Sequence, residues 1–179
     1  MSASTVDASP GPQPDGPRLF AIVYISTAAR GLSLGELEQL SHRAQVRNLA
    51  HGVTGVLLYS EGAFMQYLEG PAAGLFKVYG VIKADPLHYG VIDLIREPVG
   101  RRKFAGWSMA LRDVGAFGLS SSSESDALLT SQLKSPPASR SAAQALLLNF
   151  WCQGRSSVAS TLSEFSSQRA SRLGSTPTR

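Results

Sequence analysis

The amino-acid sequence predicts an α+β fold, and three observations support this prediction. Five short runs between residues 19 and 111 have the apolar, β-branched and aromatic composition of β-strands. Two segments with apolar residues at helical spacing lie between them, one after the first strand and one after the third. The resulting order, β-α-β-β-α-β-β, is that of a ferredoxin-like sheet with two helices on one face.

The first half of this pattern contains one strand, one helix and a hairpin. Leu19 to Ile25 is continuously apolar, which is typical of a strand covered on both faces. A capping box from Ser33 to Glu36 predicts the start of a helix that ends near Asn48. Gly52 to Tyr59 and Phe64 to Glu69 are strand-like, and the short polar segment between them predicts a hairpin.

The second half contains another helix and two more strands. Pro71 suits the first position of a helix, and the apolar periodicity that follows ends at Asp85. Gly90 to Val99 and Phe104 to Leu111 are strand-like. The basic segment from Gly100 to Lys103 is predicted to be the turn that links them.

Composition divides the chain into four parts. Residues 1–18 are rich in Ser, Pro and Gly and are predicted to be a disordered N-terminal extension. Residues 19–112 form the predicted α+β domain, and residues 113–153 form a C-terminal helical segment. Residues 154–179 carry many serines and few apolar groups, so we expect a flexible tail.

The C-terminal helical segment contains two predicted helices on either side of a Pro-Pro pair. They run from Ser125 to Lys134 and from Ser139 to Gln153. The second helix is too apolar to stand free in water, so we expect it to cover the second face of the sheet or part of a partner. These apolar helices also suggest a homo-oligomer.

Charge and composition argue against several classes of function. The net charge is +4, but the tail holds four arginines against one glutamate, so the domain is nearly neutral and nucleic-acid binding is not expected. No apolar run approaches the roughly 18 to 20 residues that a membrane span needs, and no signal peptide is evident. We therefore expect no membrane association and a cytoplasmic location.

The cysteine and the histidines suggest no metal site. The single cysteine, Cys152, excludes an intramolecular disulfide and is expected to be an inert buried thiol. His42, His51 and His88 lack the spacing of metal ligands and are expected to be surface residues.

A polar side chain is predicted inside the core of the sheet. Gln66 shares a strand face with Phe64 and Leu68, and a buried amide without a partner costs roughly 1 to 3 kcal/mol. Strands one and three are expected to be parallel neighbours, so Tyr24 and Gln66 can touch, and Asn48 could lie over the same region. Taken singly, these residues are also explained by an ordinary core hydrogen bond and a local helix cap.

Four segments with these residues form a recognisable pattern. They are VYIS with Tyr24, RNLAHGVTGVLLY with Asn48, GAFMQYLEG with Gln66, and FAGWSM with Trp107 and Met109. Together they resemble the BLUF family, the blue-light sensors that use flavin. The resemblance runs from about residue 19 to residue 111 without an apparent gap.

The resemblance implies a flavin-binding domain with an FAD ring between the two helices, over the face that carries Tyr24 and Gln66. Asn48 would bond the polar edge of the ring. Apolar residues would line its faces, among them Leu34, Leu40 and Ile82.

The basic residue that the family places near the phosphate chain is replaced here by Val81. Lys83 is a candidate substitute, as are Lys77 and the turn at residues 101–103. FMN or riboflavin are therefore further candidates for the bound flavin.

The resemblance also implies a switch rather than an enzyme. The excited flavin would take an electron and then a proton from Tyr24 through Gln66, leaving the glutamine side chain rearranged. Trp107 and Met109 would relay the change to the terminal helices, although a Trp and a Met in a strand are also ordinary core residues. The signal would pass to an unidentified downstream protein or through a change of assembly.

Two functions without flavin share this topology. An RNA-binding platform needs aromatic residues on an open sheet face with positive charge around them, and here the terminal helices need that face. An acylphosphatase-like hydrolase needs an Arg and an Asn at a phosphate-cradling loop. Arg30 and Asn48 are present, but no such loop sequence is evident.

Overall fold

A five-stranded sheet is the framework of the computed structural model, which describes residues 18–113, 131 and 141–153. Its strands are β1 (Leu19–Ala28), β2 (Thr54–Ser60), β3 (Ala63–Pro71), β4 (His88–Val99) and β5 (Ala110–Asp113). Helix α1 (Leu34–Ala50) follows β1, and α2 (Ala72–Ala84) follows β3. A third helix, α3, spans residues 142–153. This order confirms the predicted α+β fold.

Three predicted segments lie outside the described residues. The disordered extension over residues 1–18 is outside them except for Arg18. The helix predicted from Ser125 to Lys134 is outside them except for Ser131, and so is the whole tail over residues 154–179.

The predicted capping box and the predicted hairpin turn are both present. The Ser33 side chain accepts a hydrogen bond from the Glu36 backbone N–H, and the Glu36 carboxylate accepts one from the Ser33 backbone N–H at 2.9 Å. In the β2–β3 turn, Glu61 and Gly62 have φ values of 48° and 85°, as a two-residue hairpin requires. Pro71 is the residue that precedes α2 rather than its first residue.

The strands are arranged in the order β4-β1-β3-β2-β5. β1 lies beside β3 as predicted, but the two strands run antiparallel, so the expectation of parallel strands is wrong. The physical reason is that α1 returns the chain so that β2 runs in the direction of β1, and the hairpin then reverses β3. The register places Tyr24 directly opposite Gln66.

The last strand is shorter than predicted and lies elsewhere in the sheet. β5 begins at Ala110 rather than Phe104, and it pairs in parallel with β2 at the edge opposite β4. Residues 100–109 are therefore not a hairpin turn. This crossing segment runs between the two edges along the second face, where Phe104 is buried. Trp107 and Met109 belong to it, so the strand parity expected for them does not apply.

Apolar clusters cover both faces of the sheet. The first cluster, under α1 and α2, contains Tyr24 and Phe64. In the second cluster, Leu147 and Trp151 of α3 pack on the opposite face. The predicted covering of this face is thus confirmed for α3, which occupies the surface that an RNA-binding platform would leave open.

Cys152 does not have the environment predicted for it. It lies on α3 and is exposed, so the expectation of a buried thiol is wrong. The reason is that Leu147 and Trp151 define the face of α3 that packs on the sheet, and Cys152 lies off that face. No helix in the described part of the chain has the length and apolar content to cross a membrane.

Candidate functional site

A buried hydrogen bond joins β1 to β3 near the middle of the sheet. Tyr24 is 0% exposed and Gln66 is 3% exposed, and the Tyr24 hydroxyl donates to Gln66 Oε1. On its other side, Gln66 Nε2 lies 3.2 Å from Met109 Sδ, a weak acceptor. The contact predicted between Tyr24 and Gln66 is therefore confirmed, and the amide connects a phenol to the end of the crossing segment.

The environment of Tyr24 keeps its phenol protonated. Burial raises the pKa of Tyr24 well above its ordinary value, and the neighbouring Tyr79 adds to this rise while Arg47 opposes it. The two tyrosine rings are 5.5 Å apart between centroids. A phenol that stays protonated is a hydrogen-bond donor, which agrees with Gln66 Oε1 as its acceptor.

Asn48 is completely buried at the end of α1, over the same face of the sheet. Its Nδ2 donates to the backbone oxygen of Ser108 at 2.8 Å. Its Oδ1 has no hydrogen-bond partner among the described residues, and neither has Arg47 Nε. A buried acceptor without a partner costs roughly 1 to 3 kcal/mol. A ligand that donates an N–H to Asn48 Oδ1 would remove this cost, which would favour its binding.

His88 packs against Tyr24 and is half-buried, so the expectation of a surface histidine is wrong. Its ring centroid lies 6.2 Å from that of Tyr24 and 4.8 Å from that of Phe64. Its Nδ1 is 2.9 Å from Ser26 Oγ. The cause is the pairing of β4 with β1, which brings the first residue of β4 over the first cluster. Burial lowers the pKa of His88, and Asp85 opposes this effect.

We expect the burial of His88 to make the stability of the fold depend on pH. Its folded-state pKa lies below the unfolded value of 6.5, so the unfolded state binds more protons as the pH falls through that range. The free energy of unfolding should therefore decrease between about pH 7.5 and pH 5.5. Urea denaturation at several pH values should show this slope, and His88→Gln should flatten it. An unchanged slope in His88→Gln, with the same slope in the exposed control His42→Gln, would contradict the prediction.

A cavity of about 410 Å³ opens beside the first half of α1, and none of the buried polar residues described above lines it. It is lined by the β1–α1 connection, by α1 and by the segment between α2 and β4, including Arg30, Arg43 and Asp85. This volume is in the range of small-molecule sites. The three candidates for the phosphate chain, which are Lys83, Lys77 and the turn at residues 101–103, do not line the cavity. Lys83 Nζ lies 5.5 Å from the ring centroid of Tyr79.

The predicted apolar wall is brought together only in part. Leu40 and Ile82 are buried in the first cluster with Tyr24. Leu34 is 46% exposed at the first residue of α1 and lies outside that cluster. The cavity carries charges of both signs, and α1 contributes Glu36 and Arg43 to them. Nothing in the sequence pattern indicated Arg43.

Met109 and Trp107 occupy different faces of the sheet. Met109 is 3% exposed and belongs to the first cluster, against Gln66. Trp107 packs with the second cluster, and its ring centroid lies 5.6 Å from that of Phe104. Gln45, which was not among the residues predicted from the sequence, donates from Nε2 to the backbone oxygen of Met109 at 2.9 Å. Its position three residues before Asn48, on the same side of α1, was the available signal.

These residues fit a flavin ring. The ring is flat and mostly apolar, and its polar edge carries an N–H between two carbonyl oxygens. Asn48 Oδ1 is the unpaired acceptor for such an N–H. Leu40 and Ile82 supply apolar surface, and the Tyr24–Gln66 pair supplies a polar group inside the same cluster.

Known proteins match the part of the chain that carries this site. The photoactivated adenylate cyclase subunit beta of Euglena longa is 36% identical over 92 residues, which cover 51% of this chain and 11% of that protein. The blue light- and temperature-regulated antirepressor BluF of Escherichia coli (strain K12) is 31% identical over 96 residues, 54% of this chain and 24% of that protein. The chain therefore spans less than a quarter of the length of both relatives.

A solved structure and a family model also match this chain. The dark-state structure of BlrB, a BLUF protein, is 32% identical with a TM-score of 0.52, and the match covers 54% of this chain and 74% of BlrB. The sequence model of the family described as "BLUF: Sensors of blue-light using FAD" matches residues 19–110. The chain belongs to this BLUF family of blue-light sensors, whose chromophore is a flavin.

Proposed function

We propose that this protein is a photoreceptor in which blue light switches the hydrogen bonds of Tyr24 and Gln66 beside a non-covalently bound FAD. The observation that carries the proposal is the buried bond from the Tyr24 hydroxyl to Gln66 Oε1. This bond joins a phenol to an amide. Among the described residues of this cluster, phenols are the side chains that can give up both an electron and a proton, and the amide oxygen can accept the proton.

The residues of the chain define what happens after light absorption. When bound and excited by blue light, the flavin supplies an oxidant strong enough to take an electron from a phenol. An oxidised phenol is a strong acid, and the Tyr24 proton already points at Gln66 Oε1. Gln66 would accept this proton at Oε1 and release one from Nε2 towards the flavin. When an electron and a proton return to Tyr24, the amide would be left either rotated or as the imidic tautomer, with its number of protons unchanged. No substrate is converted, so we propose no enzymatic activity for residues 19–112.

The contact with Met109 converts this change into movement. In this structure Gln66 donates from Nε2 to Met109 Sδ. A half-turn of the amide would place Oε1 against this sulfur, and a thioether has no hydrogen to donate. Met109 must then move away from Gln66. We therefore assign the first relay step to Met109, since Trp107 lies on the other face of the sheet.

Asn48, with Leu40 and Ile82, is proposed to hold the ring of the cofactor. The charged cavity with Arg30 and Arg43 is proposed to receive its phosphate chain, in place of Lys83. Arg43 is a cation suited to phosphate, and Arg30, which pairs with Glu36 in this structure, would exchange that partner for a phosphate. FMN or riboflavin would leave part of this cavity to water.

The output is proposed to pass to another protein or through a change of assembly, in the cytoplasm. A homo-oligomer is part of this proposal, because Leu146, Leu148 and Phe150 of α3 are only partly buried against the second cluster and leave apolar surface. The relatives are named for a cyclase and for an antirepressor, but the chain matches only a small part of each, so neither activity is assigned to it.

A light-minus-dark absorption spectrum tests the function. We expect the purified protein to be yellow, and its flavin band should move to longer wavelength under blue light and return in the dark. A yellow protein without this reversible shift would reject the switch. A colourless protein that binds RNA or hydrolyses acyl phosphates would support the alternatives without flavin.

A further inference from the structure

Glu69 is a completely buried acidic residue on the same strand as Gln66 but on the opposite face of the sheet. Each of its carboxylate oxygens accepts two hydrogen bonds. The donors are Phe104 N at 2.6 Å and Thr54 Oγ1 at 3.3 Å to Oε1, and Lys103 N at 2.8 Å and Tyr67 OH at 2.9 Å to Oε2. Burying a carboxylate costs free energy unless hydrogen-bond donors compensate for it, and four donors do so here.

Two of these donors are consecutive backbone N–H groups of the crossing segment. Glu69 therefore ties the first part of residues 100–109 to β3. Arg102 adds to the contact between the crossing segment and the sheet. Its Nη1 donates to Thr54 Oγ1 at 2.8 Å and to the backbone oxygen of Glu69 at 3.0 Å. We call Glu69 with Lys103 and Phe104 the Glu69 latch.

The latched residues are also the ones that contact α3. The Lys103 side chain donates from Nζ to Gln144 Oε1 at 3.1 Å. Phe104 is buried in the second cluster with Leu147 and Trp151 of α3. The other end of the crossing segment carries Met109, which contacts Gln66. The segment thus has one end at the switch and the other end at α3.

We propose that Glu69 is a positioning residue of the photoreceptor, which couples rearrangement of Gln66 to α3 by fixing one end of the crossing segment. This inference rests on the proposed function. The backbone N–H of Trp107 donates to the backbone oxygen of Phe104 at 3.0 Å, so the chain between these two residues forms a hydrogen-bonded turn. Because the latch fixes Phe104, a displacement of Met109 must be taken up by this turn, which packs beside α3. Without the latch, the backbone oxygen of Trp107 still holds the turn to the sheet, through the Gly55 N–H at 2.8 Å. The part of the segment before Trp107 can then adjust, and less of the displacement reaches the helix.

The test compares wild type and Glu69→Gln as full chains with FAD bound. Two quantities are measured under continuous blue light and in the dark: the flavin absorption, and the hydrogen exchange of the amides of residues 142–153. In wild type, both should change with light. In Glu69→Gln, the absorption shift should remain, because Tyr24 and Gln66 are on the other face. The light-dependent difference in exchange should become smaller by about 3-fold or more.

A second pair of variants keeps the inference testable if Glu69→Gln does not fold. Lys103→Met removes the bond to Gln144 and should also reduce the light-dependent exchange difference in α3. Arg101→Met is the matched control, since Arg101 is an exposed cation of the same segment, and it should leave both signals unchanged.

Three outcomes separate the two hypotheses. If Glu69→Gln folds and shows both the absorption shift and the full exchange difference, the proposed role of Glu69 is overturned. If Glu69→Gln does not fold, the same result in Lys103→Met overturns it. A wild-type shift without any light-dependent exchange in residues 142–153 would overturn the coupling but leave the photoreceptor intact. A wild type without an absorption shift would instead reject the proposed function.

Discussion

Tyr24→Phe is expected to abolish the light-induced absorption shift while the flavin remains bound. Phenylalanine keeps the ring that packs against Tyr79 and removes only the hydroxyl that donates to Gln66. Without a phenol at this place, no proton reaches Gln66 Oε1, and the amide keeps its dark arrangement. The substitution leaves the buried Gln66 Oε1 without this donor, which should cost about 1 to 3 kcal/mol and is less than the roughly 5 to 15 kcal/mol that stabilises a typical domain. The light-minus-dark spectrum should therefore lose nearly all of the wild-type amplitude.

Tyr67→Phe is a matched control for this experiment. Tyr67 is also a buried tyrosine of the sheet whose hydroxyl donates to a neighbouring side chain, in its case the Glu69 carboxylate. It lies on the second face, so its replacement should leave the absorption shift intact. Gln66→Leu should bind flavin and lose the shift, as Tyr24→Phe does. A full shift in Tyr24→Phe would show that another residue supplies the electron and proton.

The parts of the site that depend on local periodicity could be predicted from the sequence. Side chains alternate between the faces of a strand, so the sequence alone groups Tyr24 with the apolar residues of one face of its strand and Gln66 with those of one face of its own. That this face lies under α1 and α2 was implied only by the family resemblance. The capping box at Ser33 likewise depends on contacts only three residues apart. These predictions are independent of strand direction, which is why the contact between Tyr24 and Gln66 is correct although β1 and β3 are antiparallel.

The parts that depend on the path of the chain could not be predicted in this way. Nothing local to residues 100–109 shows that β4 and β5 lie at opposite edges of the sheet, and the basic residues of this segment are equally suited to a turn. The donors to the Glu69 carboxylate on Lys103 and Phe104 are 34 and 35 residues away in sequence. Their contribution to the fold is visible only in three dimensions.

The environment of single residues in irregular or edge positions was also beyond the sequence. His88 is covered because β4 pairs with β1, and Cys152 is exposed because only one side of α3 packs on the sheet. Met109 and Trp107 are two residues apart, which in a strand would place them on one face. They lie on different faces because the crossing segment does not have strand geometry.

Gly74→Ala is expected to destabilise the domain by about 2 kcal/mol or more, against the usual effect of this substitution in a helix. In an open helix position, replacing Gly with Ala stabilises by up to about 1 kcal/mol. At Gly74, however, an added Cβ would lie 2.2 Å from the backbone oxygen of His51, at the end of α1. The start of α2 would have to move away from α1. Because Asn48 lies in the last turn of α1, the same displacement should weaken flavin binding.

Gly80→Ala, in the same helix, is the matched control and should change stability in the opposite direction. An added Cβ at Gly80 would have no atom within 4 Å, so only helix propensity acts there, and the expected gain is up to about 1 kcal/mol. Urea denaturation of both variants without added flavin gives the two free energies of unfolding, and a flavin titration gives the affinities. Stabilisation by both substitutions would contradict the prediction, because it would mean that α2 can separate from the end of α1 without cost. Opposite signs, with weaker flavin binding in Gly74→Ala alone, would show that close contact between α1 and α2 holds Asn48 in place.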